Sequence, residues 1–175
     1  MRRKKLMGRQ SAQESTPAKS TINVCVFKVG SRHYCIPADS VEYIYPSCEL
    51  TPLPHRLASV QGVFNLRGSA IPVIDMGFKC EKTPLPIEPE HKFIIMKVSG
   101  HTLALHVEDV PDVIAVDVSA YHDAALLLPG LHVLSGIVQY QDGLALVYDP
   151  EHFFQEELEE TAHKAKGKKT AGDRA

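Results

Sequence analysis

The stretch Phe93-Ile-Ile-Met-Lys-Val-Ser-Gly-His-Thr-Leu-Ala-Leu-His-Val107 alternates with period two rather than 3.6. Ser99-Gly100 supplies a two-residue turn, because glycine reaches the positive φ that tight hairpins need. Pairing across that turn puts Ile94, Met96 and Val98 on one face with His101, Leu103, Leu105 and Val107. An amphipathic helix would repeat its apolar side chains every three to four residues instead. The stretch predicts a β-hairpin with a buried face.

The same pattern recurs on both sides. Residues 24–36 predict a hairpin turning within Gly30-Ser31-Arg32-His33, residues 60–75 one turning at Arg67-Gly68, and residues 137–148 one turning around Asp142-Gly143. Residues 40–46 and 112–117 add single strands, for roughly ten short strands in all, which suggests a sandwich or small barrels. The first hairpin also separates two thiols. With a two- or four-residue loop, Cys25 shares a face with Ile36 and Cys35 with Val26, so the two cysteines face apart and do not bridge.

The chain has 175 residues, 44% of them apolar and 23% charged, which is one domain of ordinary globular composition. Charge is unevenly spread. Residues 1–21 hold six Lys/Arg against one acid and read as a disordered basic arm. Residues 22–155, the folded part, hold eight Lys/Arg against fifteen acids, a poor platform for nucleic-acid phosphates. Residues 150–166 read as a helix, with Asp149 as cap and Pro150 in the first turn, and residues 167–175 as a disordered tail. No apolar run approaches the length of a membrane span, and the basic start lacks the apolar stretch of a signal peptide. Cys25, Cys35, Cys48 and Cys80 contain no CxxC pair. That favours a reduced, cytoplasmic setting over zinc or a disulfide framework.

Catalytic signatures are missing. No phosphate-binding glycine loop, GxSxG or HExxH occurs, and the eleven glycines are scattered singly. The nine histidines read as solvated or loop residues rather than metal ligands, and pairs such as Glu108-Asp109 as wetted acids. No catalytic residue, cofactor site or metal site is expected. What remains is binding, and Gly62-Val-Phe-Asn-Leu-Arg-Gly68 is its candidate, since Arg67 at a hairpin tip projects outward.

That segment, followed by Ile71-Pro-Val-Ile-Asp75, resembles the G-V-x-N-L-R-G…P-V-x-D core of CheW-like domains. Further likeness lies in Val26-Phe27-Lys-Val-Gly30, in Val41 with Ile44, in Leu53-Pro54, in Val107-Glu-Asp-Val-Pro-Asp-Val113, in Leu134-Ser-Gly136 and in Asp149-Pro-Glu-His-Phe153, across about residues 22–155. The resemblance implies an all-β fold of two intertwined five-stranded, SH3-like β-barrels with a short C-terminal helix. It implies a non-enzymatic adaptor coupling the helical tips of chemoreceptors to the regulatory domain of a CheA-type histidine kinase. The partner-binding residues it implies are Val41, Tyr43, Gly62, Asn65, Leu66, Arg67 and Gly68.

Two departures from the family pattern stand out. Tyr43 occupies the place where the family often carries a Glu able to pair with the arginine, and Glu42 is expected on the opposite face. Region 119–130 is strongly apolar and reads as a segment packed on a barrel or as a kinase-facing loop. A CheW-like adaptor of a parallel pathway, such as pilus-based motility, is the nearest alternative reading, and a nucleic-acid-binding barrel a remote one. With no second domain apparent, a stand-alone cytoplasmic adaptor is expected, monomeric in isolation, recruited to membrane-associated receptor arrays and not inserted in the membrane.

Overall fold

A computed structural model describes residues 20–54, 59–127 and 133–156. The chain begins in one sheet, crosses to a second and returns to the first. Strands β1 (Thr21–Val29) and β2 (Arg32–Pro37) open the first sheet. Strands β3 (Val41–Pro46), β4 (Val60–Leu66) and β5 (Ser69–Asp75), helix α1 (Met76–Glu81), and strands β6 (Lys92–Val98) and β7 (His101–Val107) follow. Strands β8 (Asp109–Asp117) and β9 (His122–Asp123), helix α2 (Ala124–Leu127), and strands β10 (Leu134–Tyr140) and β11 (Gly143–Tyr148) complete the first sheet. Residues 150–156 are helical, and Asp149 Oδ1 accepts from Glu151 N at 2.9 Å and His152 N at 3.2 Å, as a capping carboxylate does.

The first sheet has six strands in the order β8-β1-β2-β11-β10-β9, and the second has five in the order β3-β6-β7-β5-β4. The expected all-β, SH3-like fold is present, as mixed sheets rather than two closed five-stranded barrels. The second sheet still curls, for Tyr45 on one edge strand lies 6.1 Å, ring to ring, from Phe64 on the other. Each sheet contains one parallel pair, β11 with β2 and β5 with β7, created by the crossovers.

Register follows the turns. Val98 pairs with His101 and Leu66 with Ser69, so Ser99-Gly100 and Arg67-Gly68 are two-residue turns. All four turn residues have positive φ (48° and 79°, 53° and 91°), the combination whose twist matches the flanking strands. In the first hairpin Val29 pairs with Arg32, so Gly30-Ser31 is the turn and Arg32 and His33 belong to β2. The third expected turn is displaced by one residue. Tyr140 pairs with Gly143, leaving Gln141-Asp142 as the turn with Gln141 at φ 51°. The glycine begins the strand and is not the bend. Thr21, expected in the arm, pairs with Asp117 inside β1. Residues 1–19, 128–130 and 157–175 of the expected arm, apolar segment, helix end and tail lie outside the described residues.

Three apolar clusters hold these layers. Val24, Val26, Cys35, Val138, Ala145 and Val147 fill the first sheet, and Phe64, Ile71, Val73, Phe93, Ile95 and Ala104 fill the second. Between the sheets, Phe27, Ile36, Met76, Ile94, Met96, Leu103, Leu105 and Phe153 form the largest cluster. The β6–β7 hairpin is thus buried on both faces. Ile94, Met96 and Leu105 look toward the other sheet, while Phe93, Ile95 and Ala104 look into their own. Cys25 joins the inter-sheet cluster and Cys35 the first sheet's interior, as the register requires, and both are free thiols. Of the apolar region 119–130, Ala124 is buried while Leu126 is 81% exposed.

Candidate partner-binding groove

The second sheet carries an open groove of about 560 Å³ between β3 and the tips of two hairpins. Tyr43, Ile44 and Tyr45 form one wall, Leu66, Arg67 and Ile71 the other, and His101 and Thr102 lie at one end. Three consecutive β3 side chains are exposed there, Tyr43 at 53%, Ile44 at 45% and Tyr45 at 43%. An alternating strand would hide one face. This one does not, because β3 is an edge strand with a register shift between Val41 and Tyr43. That shift leaves Glu42 extra in the pairing and brings it into the same groove as Tyr43, so Glu42 does not point away as strict alternation predicts.

The seven residues nominated from the sequence divide into groups. Tyr43, Leu66 and Arg67 line the groove. The guanidinium carbon of Arg67 sits 5.8 Å from the centroid of the Tyr43 ring, a cation–π contact in place of an ion pair. Asn65 and Gly68 shape the turn instead: Asn65 Oδ1 accepts from Gly68 N at 2.7 Å, which fixes the bend holding Arg67 outward. Val41 is half-buried and packs on the inter-sheet cluster. Gly62 is buried away from the groove. A Cβ there would lie 2.6 Å from the Thr51 carbonyl oxygen, where Thr51 and Val63 exchange backbone hydrogen bonds of 2.8 and 2.9 Å. Its lack of a side chain admits the crossing segment at Thr51.

Beneath the groove an aromatic column runs inward from Tyr45 through Phe64 and Phe93 to His106, with ring centroids 6.1, 5.3 and 5.4 Å apart. His106 is fully buried and His91 nearly so, against the expectation of solvated histidines. They belong to a hydrogen-bonded chain. Gln61 Nε2 donates to Asp75 Oδ2 at 3.0 Å and to the Leu85 carbonyl at 2.7 Å. The Gln61 Oε1 therefore accepts from His106 Nδ1 at 2.7 Å, and His106 Nε2 is left to accept from His91 Nδ1 at 3.0 Å. Burial, reinforced by the neighbouring His91, pushes the His106 imidazole down to about 4 and keeps it neutral.

Asp75, the last residue of the P-V-x-D motif, caps α1 by accepting from Phe78 N at 3.0 Å and also holds Leu85 N at 3.1 Å. The chain thereby pins the proline-rich segment 82–91 to the second sheet, and Ser47 N donates to the His91 carbonyl at 3.0 Å, pinning the end of β3 in turn. The sequence signal for this was faint: one polar residue, His106, within the run Leu103–Val107 that is otherwise apolar on both faces.

Another cavity, of about 550 Å³, opens at the first sheet among Ile22, Val24, Tyr121 and Ser135, and none of the nominated residues lines it. Among the described residues no cluster of three His, Cys, Asp or Glu could hold a metal ion. No helix among them is long and apolar enough to cross a membrane.

Known proteins resemble this chain in sequence and shape. The chemotaxis protein CheW of Rhizobium meliloti is 31% identical over 90 residues, 51% of this chain and 58% of the relative. The match thus spans little more than half of that relative's length. The chemotaxis protein CheW of Treponema pallidum is 26% identical over 144 residues, covering 78% of this chain and 85% of the relative. The crystal structure of the scaffolding protein TtCheW from Thermoanaerobacter tengcongensis superposes with a TM-score of 0.67 at 20% identity, over 81% of this chain and 92% of that one. The shared fold therefore includes both sheets and not the motif hairpin alone. The profile of the CheW-like domain matches residues 23–158, and the chain belongs to the CheW-like family.

Proposed function

We propose that this protein is a non-enzymatic chemotaxis scaffold that joins the helical tip of chemoreceptors to the regulatory domain of a CheA-type histidine kinase. CheW-family proteins are scaffolds rather than enzymes, and this chain shares their fold. The observation that carries the reading is the groove itself. Three exposed apolar or aromatic residues of an edge strand face an arginine on a rigid turn, an arrangement suited to the side of a helix. Aromatic residues and arginine are also the side chains most often found as interface anchors. The protein acts from the cytoplasm, monomeric when alone and recruited to receptor arrays by its partners.

Titration of the full chain against a receptor-tip fragment and an isolated kinase regulatory domain tests this. Binding to both, separately and together, is expected, with light scattering showing a monomer beforehand. Binding to neither overturns the reading.

A further inference from the structure

Arg67 differs from Lys28, Arg32 and Lys79 in what accompanies it, and resembles Lys82, whose ammonium lies 5.7 Å from the centroid of the Phe78 ring. Lys28 is within 3.5 Å of Glu108, Arg32 within 3.2 Å of Glu81 and Lys79 within 3.8 Å of Glu156. Among the described residues Arg67 has no ion pair, although acids outnumber bases fifteen to eight over residues 22–155. Its companion is the ring of Tyr43. A ring face orients a guanidinium without neutralising it, and it leaves the N–H edge available to an acceptor.

The turn beneath is stiff. Both central residues occupy the left-handed region and the Asn65 side chain braces Gly68, so Arg67 is presented with little ordering left to complete on binding. The ionisable groups lining the groove are Glu42, Tyr43, Tyr45, Arg67 and His101. The only fixed positive charge among them is Arg67, set beside the exposed apolar surface of Ile44 and Tyr45.

We infer that the groove selects a protein segment carrying a carboxylate beside apolar side chains, the carboxylate pairing with Arg67 while the apolar residues cover Ile44 and Tyr45. This rests on the groove being the partner surface. Guanidinium and carboxylate match in shape and charge and form two parallel hydrogen bonds, so the pair fixes register as well as affinity. A phosphate-rich polymer is disfavoured by the acidic remainder of the folded segment.

Tyr43→Glu tests the inference from inside the protein, by placing a carboxylate of its own beside Arg67. The receptor-tip fragment and the kinase regulatory domain are each titrated at low and high salt with wild type, Tyr43→Glu, Tyr43→Phe, Arg67→Gln and the Tyr43→Glu/Arg67→Gln double variant. All five are checked by thermal melting. For the partner that uses the groove, Arg67→Gln and Tyr43→Glu should each weaken binding by about tenfold and flatten its salt dependence. Tyr43→Phe should bind as wild type, and the double variant should bind no better than Arg67→Gln alone, because the introduced carboxylate then faces the partner's own with no guanidinium between them. Wild-type binding that persists unchanged in Arg67→Gln and Tyr43→Glu overturns the carboxylate inference and leaves the scaffold reading standing. A double variant that binds better than Arg67→Gln also overturns it, by showing that an added carboxylate helps where the partner's carboxylate is said to dock. If wild type binds neither partner, both the scaffold reading and this inference fall.

Discussion

The first sheet closes over Val24, Val26, Cys35, Val138, Ala145 and Val147, whereas the second sets His106 and Asp75, both buried, against Phe64, Phe93 and Ile95. One interior is held by apolar contact and the other is also wired by directional hydrogen bonds. Apolar packing is forgiving of small shifts. A buried hydrogen-bond chain fixes its members in place, because breaking one link leaves a desolvated polar group without its partner. The wired half is the one that carries the groove. Its chain reaches the proline-rich segment and, through Ser47 and His91, the strand bearing Tyr43–Tyr45. The contrast shows where this small fold places its rigidity: behind a surface whose exposed strand would otherwise be held on one side only.

The largest effect that would break this contrast comes from two glycines, one in each sheet. A Cβ on Gly62 meets the backbone oxygen of Thr51, which cannot move without losing its bridge to Val63. A Cβ on Gly136 meets the far end of the Tyr121 ring, and that side chain can swing aside. Gly62→Ala should therefore cost about 3–4 kcal/mol and Gly136→Ala about 1 kcal/mol in denaturant unfolding. Equal costs would mean that the two halves tolerate crowding alike.

Acid should then separate the halves. The buried His106 ionises at about 4 in the fold, against an ordinary value of 6.5. At pH 7 it is neutral folded or unfolded. Between pH 6.5 and 4 the unfolded chain takes up a proton that the fold refuses, so stability falls as pH drops, by about 3 kcal/mol in total. Protonation would also set two N–H donors against each other between His106 and His91. Asp75 works in the opposite sense: burial raises its carboxyl, so acidification through that raised range returns part of the loss. Nitrogen chemical shifts of His106 should stay those of a neutral ring down to about pH 4. Titration near the ordinary histidine value would remove the chain's hold on the second sheet.

The smallest expected effect is at the surface. Arg67→Ala should change unfolding free energy by less than about 0.5–1 kcal/mol, since the turn keeps Gly68 and the Asn65 brace. A larger loss would place Arg67 with the supports of the fold rather than with its surface.

Period-two alternation and turn chemistry make the hairpins legible in the sequence alone. The Ser99-Gly100 and Arg67-Gly68 turns, the faces of the β6–β7 pair and the separation of Cys25 from Cys35 all follow from local register, which each turn sets for its own two strands. The N-L-R-G run also locates the hairpin that forms one wall of the groove. Long-range packing lies beyond that reading. Whether Gly62 serves a partner or a crossing segment depends on Thr51, eleven positions away, reaching Val63. Glu42 enters the groove through a register shift that depends on β6, a strand some fifty residues further along. His106 looks like an ordinary strand histidine until the fold brings Gln61 and His91 to its two nitrogens, contacts separated by 45 and 15 positions. Local sequence fixes dihedral angles and which side chains share a face. Burial, charge state and the company of Arg67 arise only where distant segments meet, because desolvation and pairing belong to the assembled interior and not to any residue alone.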